Sequence, residues 1–372
     1  MASRSPPPDV PRRSTSVRTR SGRFVSEASG TRVIACLIPE VNADRRDDPA
    51  PPPPAPPRYR GLGERFMSRS FGIGPGRRSD PAGVRGYPVD FSAKAEEPTP
   101  WEGFASHPGR WLWVALVQWA LGAHERWLAG DGERWLAGAR EAADLLVEHQ
   151  ANSGVHDGGW VQTAPYPHTF PLAPPWVSGM AQGEGASLLV RVHLETGDDR
   201  YAEAARRALR PLAVPSSEGG ASASLEGGSL PEEYPTEPPS FVLNGAIFAL
   251  WGLRDVGIAL GDDDALARFR DGVDVLAENV HRWDTGVWSR YDLYPHPVVN
   301  VASTAYHALH VLQLEATNTL APRPALSDAA ARFAAYAESP VKRARAFTAK
   351  ALFRMAVPRS RRMATLLPWA RR

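Results

Sequence analysis

The chain has 372 residues, of which 43% are hydrophobic, and a formal net charge of +2, so it can bury a sizeable core. The single cysteine, Cys36, excludes an intramolecular disulfide and any multi-cysteine metal site. Charge is unevenly spread: residues 1–86 hold sixteen arginines, no lysine and eight acids, a net of +8, so the remainder carries −6.

Residues 1–80 read as a disordered Pro/Arg-rich tail, because prolines 6–8, the proline run over 51–57 and the glycines of 72–76 leave too little apolar surface to offset ordering. Arginines dispersed among prolines are solvated charge rather than a nucleic-acid surface. The apolar island at 33–38 is too short for a signal-peptide core or a membrane span, so no membrane contact and a cytoplasmic location are expected.

Helices follow. Residues 110–122 are apolar nearly all round, which suits an inner helix, and 131–149 are amphipathic, which suits an outer one. The alternation repeats: 180–196 with 199–209, 241–260 with 263–280, and 301–315 with 325–337, before a basic helix at 342–355. Pairs of this kind predict a mainly α protein, an α/α toroid of the incomplete (α/α)6-barrel type with a few short β-hairpins. A hairpin is expected over 281–293, with Asp284-Thr285-Gly286 as its turn. The domain limits expected are 87–340 for the toroid and 341–372 for the basic helix and tail. Glu-Arg-Trp-Leu-Ala-Gly occurs at 125–130 and again at 133–138, and marks two helix ends rather than a repeat.

The chemistry concentrates at Glu232-Glu233-Tyr234-Pro235-Thr236-Glu237-Pro238-Pro239-Ser240-Phe241-Val242-Leu243-Asn244-Gly245, a proline-braced loop at the start of an apolar helix. Paired loop carboxylates are by default solvated charge. This stretch resembles the signature of the D-glucuronyl C5-epimerases, a Glu-Glu-Tyr-Pro-Thr loop followed by Pro-Ser-Phe-Val-Leu-Asn-Gly. Four further segments are similar to that family: Tyr87-Pro88-Val89-Asp90-Phe91-Ser92, Trp176-Val177-Ser178-Gly179-Met180-Ala181-Gln182-Gly183-Glu184, Tyr291-Asp292-Leu293, and Asn300 through Leu314 with Tyr306, His307, His310 and Gln313. The resemblance runs from about Tyr87 to about Leu320 and is closest to microbial members. Animal members place an arginine after Tyr-Asp-Leu and an acid before the helix tyrosine, where this chain has Tyr294 and Ala305.

C5-epimerisation removes a weakly acidic proton α to a carboxylate and returns one on the other face, so it needs a base, an opposed acid and stabilisation of enediolate charge. The resemblance implies Glu233 as base, Tyr306 as opposed acid/base and Tyr291 as second proton donor. Gln182, Glu184, Tyr234 and Asn244 would orient the sugar, and Arg290, His307 and His310 would polarise the carboxylate, with His296 a further candidate. A tyrosine with pKa about 10 is a poor base unless nearby cations lower it, a role open to Arg290 and His307. Glu233 would need partial burial to raise its pKa. No cofactor and no metal are expected, and no Gly-x-Gly-x-x-Gly fingerprint occurs. The expected partner is a uronic-acid-containing glycan, and a homodimer is compatible with these features. The rival readings are a uronate lyase, which shares the first proton abstraction, and a non-catalytic glycan-binding toroid.

Overall fold

The computed structural model describes residues 73–77, 79–96, 112–164 and 168–358. The tail expected over 1–80 lies outside the described residues except at its end, where β1 (Gly74–Pro75) pairs antiparallel with β2 (Val89–Asp90). The described residues therefore begin ahead of Tyr87, where the toroid was expected to start.

The described residues form a mainly α structure, as the periodicity predicts. The helices are α1 (Trp113–Leu128), α2 (Arg134–His149), α3 (Gly179–Thr196), α4 (Asp199–Ala208), α5 (Leu243–Leu260), α6 (Asp263–Asn279), α7 (Thr304–Leu320), α8 (Pro324–Glu338) and α9 (Pro340–Ala356). Helices α1, α3, α5 and α7 pack on one another in chain order, and each carries its successor, α2, α4, α6 or α8, as a partner. The apolar members form the interior: α5 is buried from Leu243 through Gly257, and α3 from Gly179 through Val192. Their partners bury one stripe each, as α2 does with Ala139, Ala142, Ala143 and Leu146.

Helices α3 and α5 approach through glycines. A Cβ at Gly183 would come within 2.3 Å of the Ala249 Cα, and one at Gly252 within 2.4 Å of the Gly183 Cα. This contact requires two residues without side chains. The helix ends are capped as the sequence suggests: Ser178 Oγ accepts the Ala181 amide, Asp262 Oδ1 the Ala265 amide and Ser303 Oγ the Tyr306 amide.

Helix α1 runs six residues beyond the expected end at 122. His124 and Glu125, which interrupt the apolar pattern, are buried inside the fold, and Glu125 Oε1 accepts the Tyr87 amide at 2.8 Å. The first copy of Glu-Arg-Trp-Leu-Ala-Gly closes α1 and the second opens α2, with Gly130 and Gly132 at positive φ between them.

The hairpin expected over 281–293 is reduced to a 3-10 turn, Val280–Trp283, and two isolated bridges, Asp284 to Ser289 and Arg290 to Val301. Its backbone closes around the expected turn, with Thr285 N–H donating to Trp288 O and Arg290 N–H to Trp283 O, and beyond that it bonds elsewhere. Tyr291 N–H donates to Asn300 O, and Leu293 N–H to Ser240 O. The longest hairpin, β5 (Ser222–Leu225) with β6 (Gly228–Pro231), falls in a Gly/Ser-rich stretch without β-branched residues and delivers the chain into the Glu232 loop. A third antiparallel pair joins β3 (Val161–Gln162) to β4 (Trp176–Val177).

A buried ion cluster ties the segment before β2 to the interior. Arg191 donates to Asp255 Oδ2 at 2.6 Å and to Gly86 O, and Arg254 donates to Asp255 Oδ1 and to the carbonyls of Pro81 and Gly83. Both arginine side chains are almost fully buried. Such a pair survives burial because most of its donors are satisfied, Arg191 Nε being the buried exception.

Candidate active site

The two adjacent loop carboxylates have different jobs. Glu232 is fully buried. Its Oε2 accepts from Ser240 N–H at 2.8 Å and Ser240 Oγ at 2.7 Å, and its Oε1 from Phe241 N–H at 2.7 Å. Its own backbone bonds Ala221 O and Gly179 N–H, which fastens the loop to β5 and to the start of α3. Burial raises its pKa to about 7 against the pull of these hydrogen bonds. Beside it Phe241 adopts φ 44°, a left-handed conformation costing a non-glycine residue about 1–3 kcal/mol. The Glu232 bond to its amide and the Trp283 Nε1–H bond to its carbonyl hold it there.

Glu233 faces the other way, into a cavity of about 240 Å³, and only 6% of its surface is exposed. It sits on the first turn of α5, where helix N–H groups favour an anion. Gly245 permits this, since a Cβ there would come within 2.5 Å of the Glu233 Oε2. Asn244, in the same turn, also lines the cavity. Its Nδ2 lies 3.5 Å from Glu233 Oε2, its carbonyl accepts from Gln313, and its Oδ1 is buried without a protein partner.

Tyr234 and Tyr306 line the same cavity. Tyr234 stacks on His168 at 4.4 Å and lies against Phe170 and Trp176. Tyr306 stands in the first turn of α7, half-buried, edge-on to Tyr291 at 4.9 Å. Tyr291 is 3% exposed and lies behind Tyr306, outside the cavity lining. Burial first, then the charge of Glu233 and the neighbouring tyrosines, pushes its pKa well above 10. Cation-assisted lowering of the Tyr291 pKa, expected from Arg290, is therefore corrected: burial favours the neutral phenol, which has a proton to donate.

Several other expectations are moved as well. Gln182 is fully buried and does not line the cavity; its Oε1 accepts Trp160 N–H and its Nε2 donates to Gly158 O and Ala208 O, so its amide is spent on the fold. Glu184 lies behind the wall, where Oε1 accepts from Gln118 Nε2 at 2.9 Å. Burial and the charge of Glu233 raise it well above the usual carboxylate range, against the Gln118 bond and Lys94. His307 and His310 both meet Ser289 Oγ, at 2.7 and 2.9 Å. Ser289 N–H donates to His307 Nδ1, so His307 Nε2 carries the proton that bonds Phe333 O. Burial lowers His307 to about 4 and His310 well below its ordinary value. Two neutral imidazoles outside the cavity do not polarise a carboxylate. Arg290 is half-buried, and His296 pairs with Asp292 at 3.5 Å; neither lines the cavity.

The lining also includes Lys94, Gln118 and His168, which no motif marks, with Trp113, Trp160 and the motif residue Trp176. Two of them carry a signal in hindsight. Gln118 interrupts the apolar run from Trp113 to Ala123, and Lys94 is one of only three lysines among the 43 basic residues of the chain.

Residues 154–335 match the family described as the D-glucuronyl C5-epimerase C-terminus. The match places that segment, just under half of the chain, in the family. A D-glucuronyl C5-epimerase of Caenorhabditis elegans is 34% identical over 215 residues, which are 53% of this chain and 34% of that protein. An uncharacterized protein of Methanocaldococcus jannaschii is 30% identical over 156 residues, 40% of this chain and 49% of that protein. The chain thus spans between a third and a half of the length of these curated relatives. The epimerase-family segment contains Glu233, Asn244, Tyr291 and Tyr306, and it begins after Lys94 and Gln118.

Proposed function

We propose that this protein epimerises D-glucuronate residues of a polysaccharide or glycoconjugate to L-iduronate at C5, by two-base proton transfer in a site at one end of an α/α toroid. The observation that carries this reading is that Glu233, on a loop, and Tyr306, in a helix turn 73 residues further on, line one largely buried cavity in a chain whose residues 154–335 match the epimerase family.

Glu233 takes the C5 proton of glucuronate, and the electron pair of that bond moves into C5–C6 to give an enediolate. Tyr306 returns a proton to the opposite face, and the two residues exchange roles for the reverse reaction. Low exposure of Glu233 keeps bulk water from its carboxylate. Protonated Tyr291, edge-on to Tyr306, supplies a donor that steadies the Tyr306 oxygen while it is ionised. Asn244 Oδ1 accepts from a sugar hydroxyl, and Trp113, Trp160 and Trp176 offer apolar ring surface to the pyranose. The chemistry asks for no redox step, because the carbon is already activated by its carboxylate. Heparosan is the first substrate to try and a cytoplasmic setting the simplest one.

Incubation with heparosan in deuterated water tests the reading. Deuterium at C5 together with iduronate signals in the NMR spectrum is the expected result. An unsaturated product absorbing in the near ultraviolet would replace epimerisation by β-elimination.

A further inference from the structure

A uronate carboxylate in this cavity needs a positive partner, and the residues expected to supply one lie elsewhere. Arg290, His296, His307 and His310 are all outside the lining. Among the described residues that line the cavity, Lys94 is the only lysine or arginine.

Lys94 is held where it is by a chain of contacts that start well away from the loop. It lies in the 3-10 turn Ser92–Glu96 and is half-buried. Asp90 Oδ1 accepts the Ser92 amide at 2.7 Å, and Lys94 N–H donates to Phe91 O at 2.8 Å. The Phe91 carbonyl lies against α1, where a Cβ at Gly122 would come within 2.2 Å of it. Upstream, Glu125 of α1 and Arg191 of α3 fix the backbone at Tyr87 and Gly86. A lysine on a turn locked to two interior helices is a preorganised charge, which is worth more in a dry site than a mobile one. Its field reaches the site, since it favours the charged form of Glu184, whose Oε1 holds the cavity residue Gln118.

We propose that Lys94 is the carboxylate anchor of this site: its ammonium pairs with the C6 carboxylate of the bound uronate and stabilises the second negative charge that forms there as the C5–H bond breaks. The inference rests on the epimerase reading. Lys94 transfers no proton; the proton goes to Glu233 and the electron pair into C5–C6. It selects for uronates, because a neutral hexose in the same place offers the ammonium no carboxylate to pair with. It also takes the role that an arginine after Tyr-Asp-Leu cannot play here, Tyr294 occupying that position.

The test uses the full chain as wild type, Lys94→Gln and Lys94→Arg, with a heparosan octasaccharide and its carboxyl-reduced counterpart as probes. Binding is read by tryptophan fluorescence and C5 exchange by NMR in deuterated water. The wild type should prefer the carboxylate form by about tenfold or more, the expected worth of a hydrogen bond to a charged group. Lys94→Gln should lose that preference and most exchange, while Lys94→Arg keeps the preference. An unchanged preference in Lys94→Gln, with exchange intact, overturns the anchor and leaves the epimerase reading standing. Absence of both binding and exchange in the wild type overturns that reading, and the anchor with it.

Discussion

Glu233 and Gly245 are in such close contact that no side chain fits between them: a Cβ at 245 would lie 2.4 Å from the Glu233 Cβ and 2.5 Å from its Oε2. The glycine is therefore a positioning residue for the carboxylate, placed in a helical turn where alanine would otherwise be favoured by about 1 kcal/mol.

Gly245→Ala should displace the Glu233 carboxylate. A misplacement of about 1 Å costs roughly 10²-fold in rate, so exchange should fall by about that factor with helical content by circular dichroism unchanged. Wild-type exchange in this variant would show that Glu233 is not the base.

Glu232 makes stability depend on pH. Its folded pKa of about 7 lies above the ordinary value of 4.5, so between these pH values the folded state keeps a proton that the unfolded chain has released. Its protonation-linked stabilisation is present below about 4.5 and is lost as pH rises through about 7, by roughly 3 kcal/mol on the scale of 1.36 kcal/mol per pKa unit. Urea unfolding at pH 5 and pH 8 should show this decline in the wild type and a flatter profile in Glu232→Gln. Parallel profiles would mean that Glu232 titrates normally.

Gln182 should behave as a structural residue. Gln182→Ala leaves the Trp160 amide and the Gly158 and Ala208 carbonyls without the partners they now have. At about 1–3 kcal/mol for each unsatisfied buried group, denaturant midpoints should fall steeply while KM for the glycan stays within a few-fold. A raised KM at unchanged stability would return Gln182 to the binding site.

The legibility of these features follows how local they are. Glu233, Tyr234, Asn244 and Gly245 could be read together because one loop and one helix turn carry them, and Tyr306 because Ser303 caps the turn it stands in. The inner and outer helices were legible because burial on all sides or on one stripe is written into their periodicity. The part played by Lys94 was not, since it depends on Gly122, Glu125 and Arg191, which converge on that turn only in the folded chain. Gln182 and His307 misled for the converse reason. Their polar side chains sit in a motif that suggests ligand contact, yet their hydrogen bonds close within the protein. The strands of two residues each, β1 to β4, have no sequence signal, because they form wherever packed segments happen to align.

The central claim is that Glu233 and Tyr306 serve opposite faces of C5, and complementary half-reactions test it most directly. Glucuronate-rich and iduronate-rich polymers are each incubated in deuterated water with Tyr306→Phe and with Glu233→Gln, and C5 deuteration is followed by NMR. The account predicts that Tyr306→Phe exchanges glucuronate without forming iduronate, and that Glu233→Gln exchanges only iduronate. Equal behaviour of both variants toward both polymers, whether equal loss or equal retention, would contradict it.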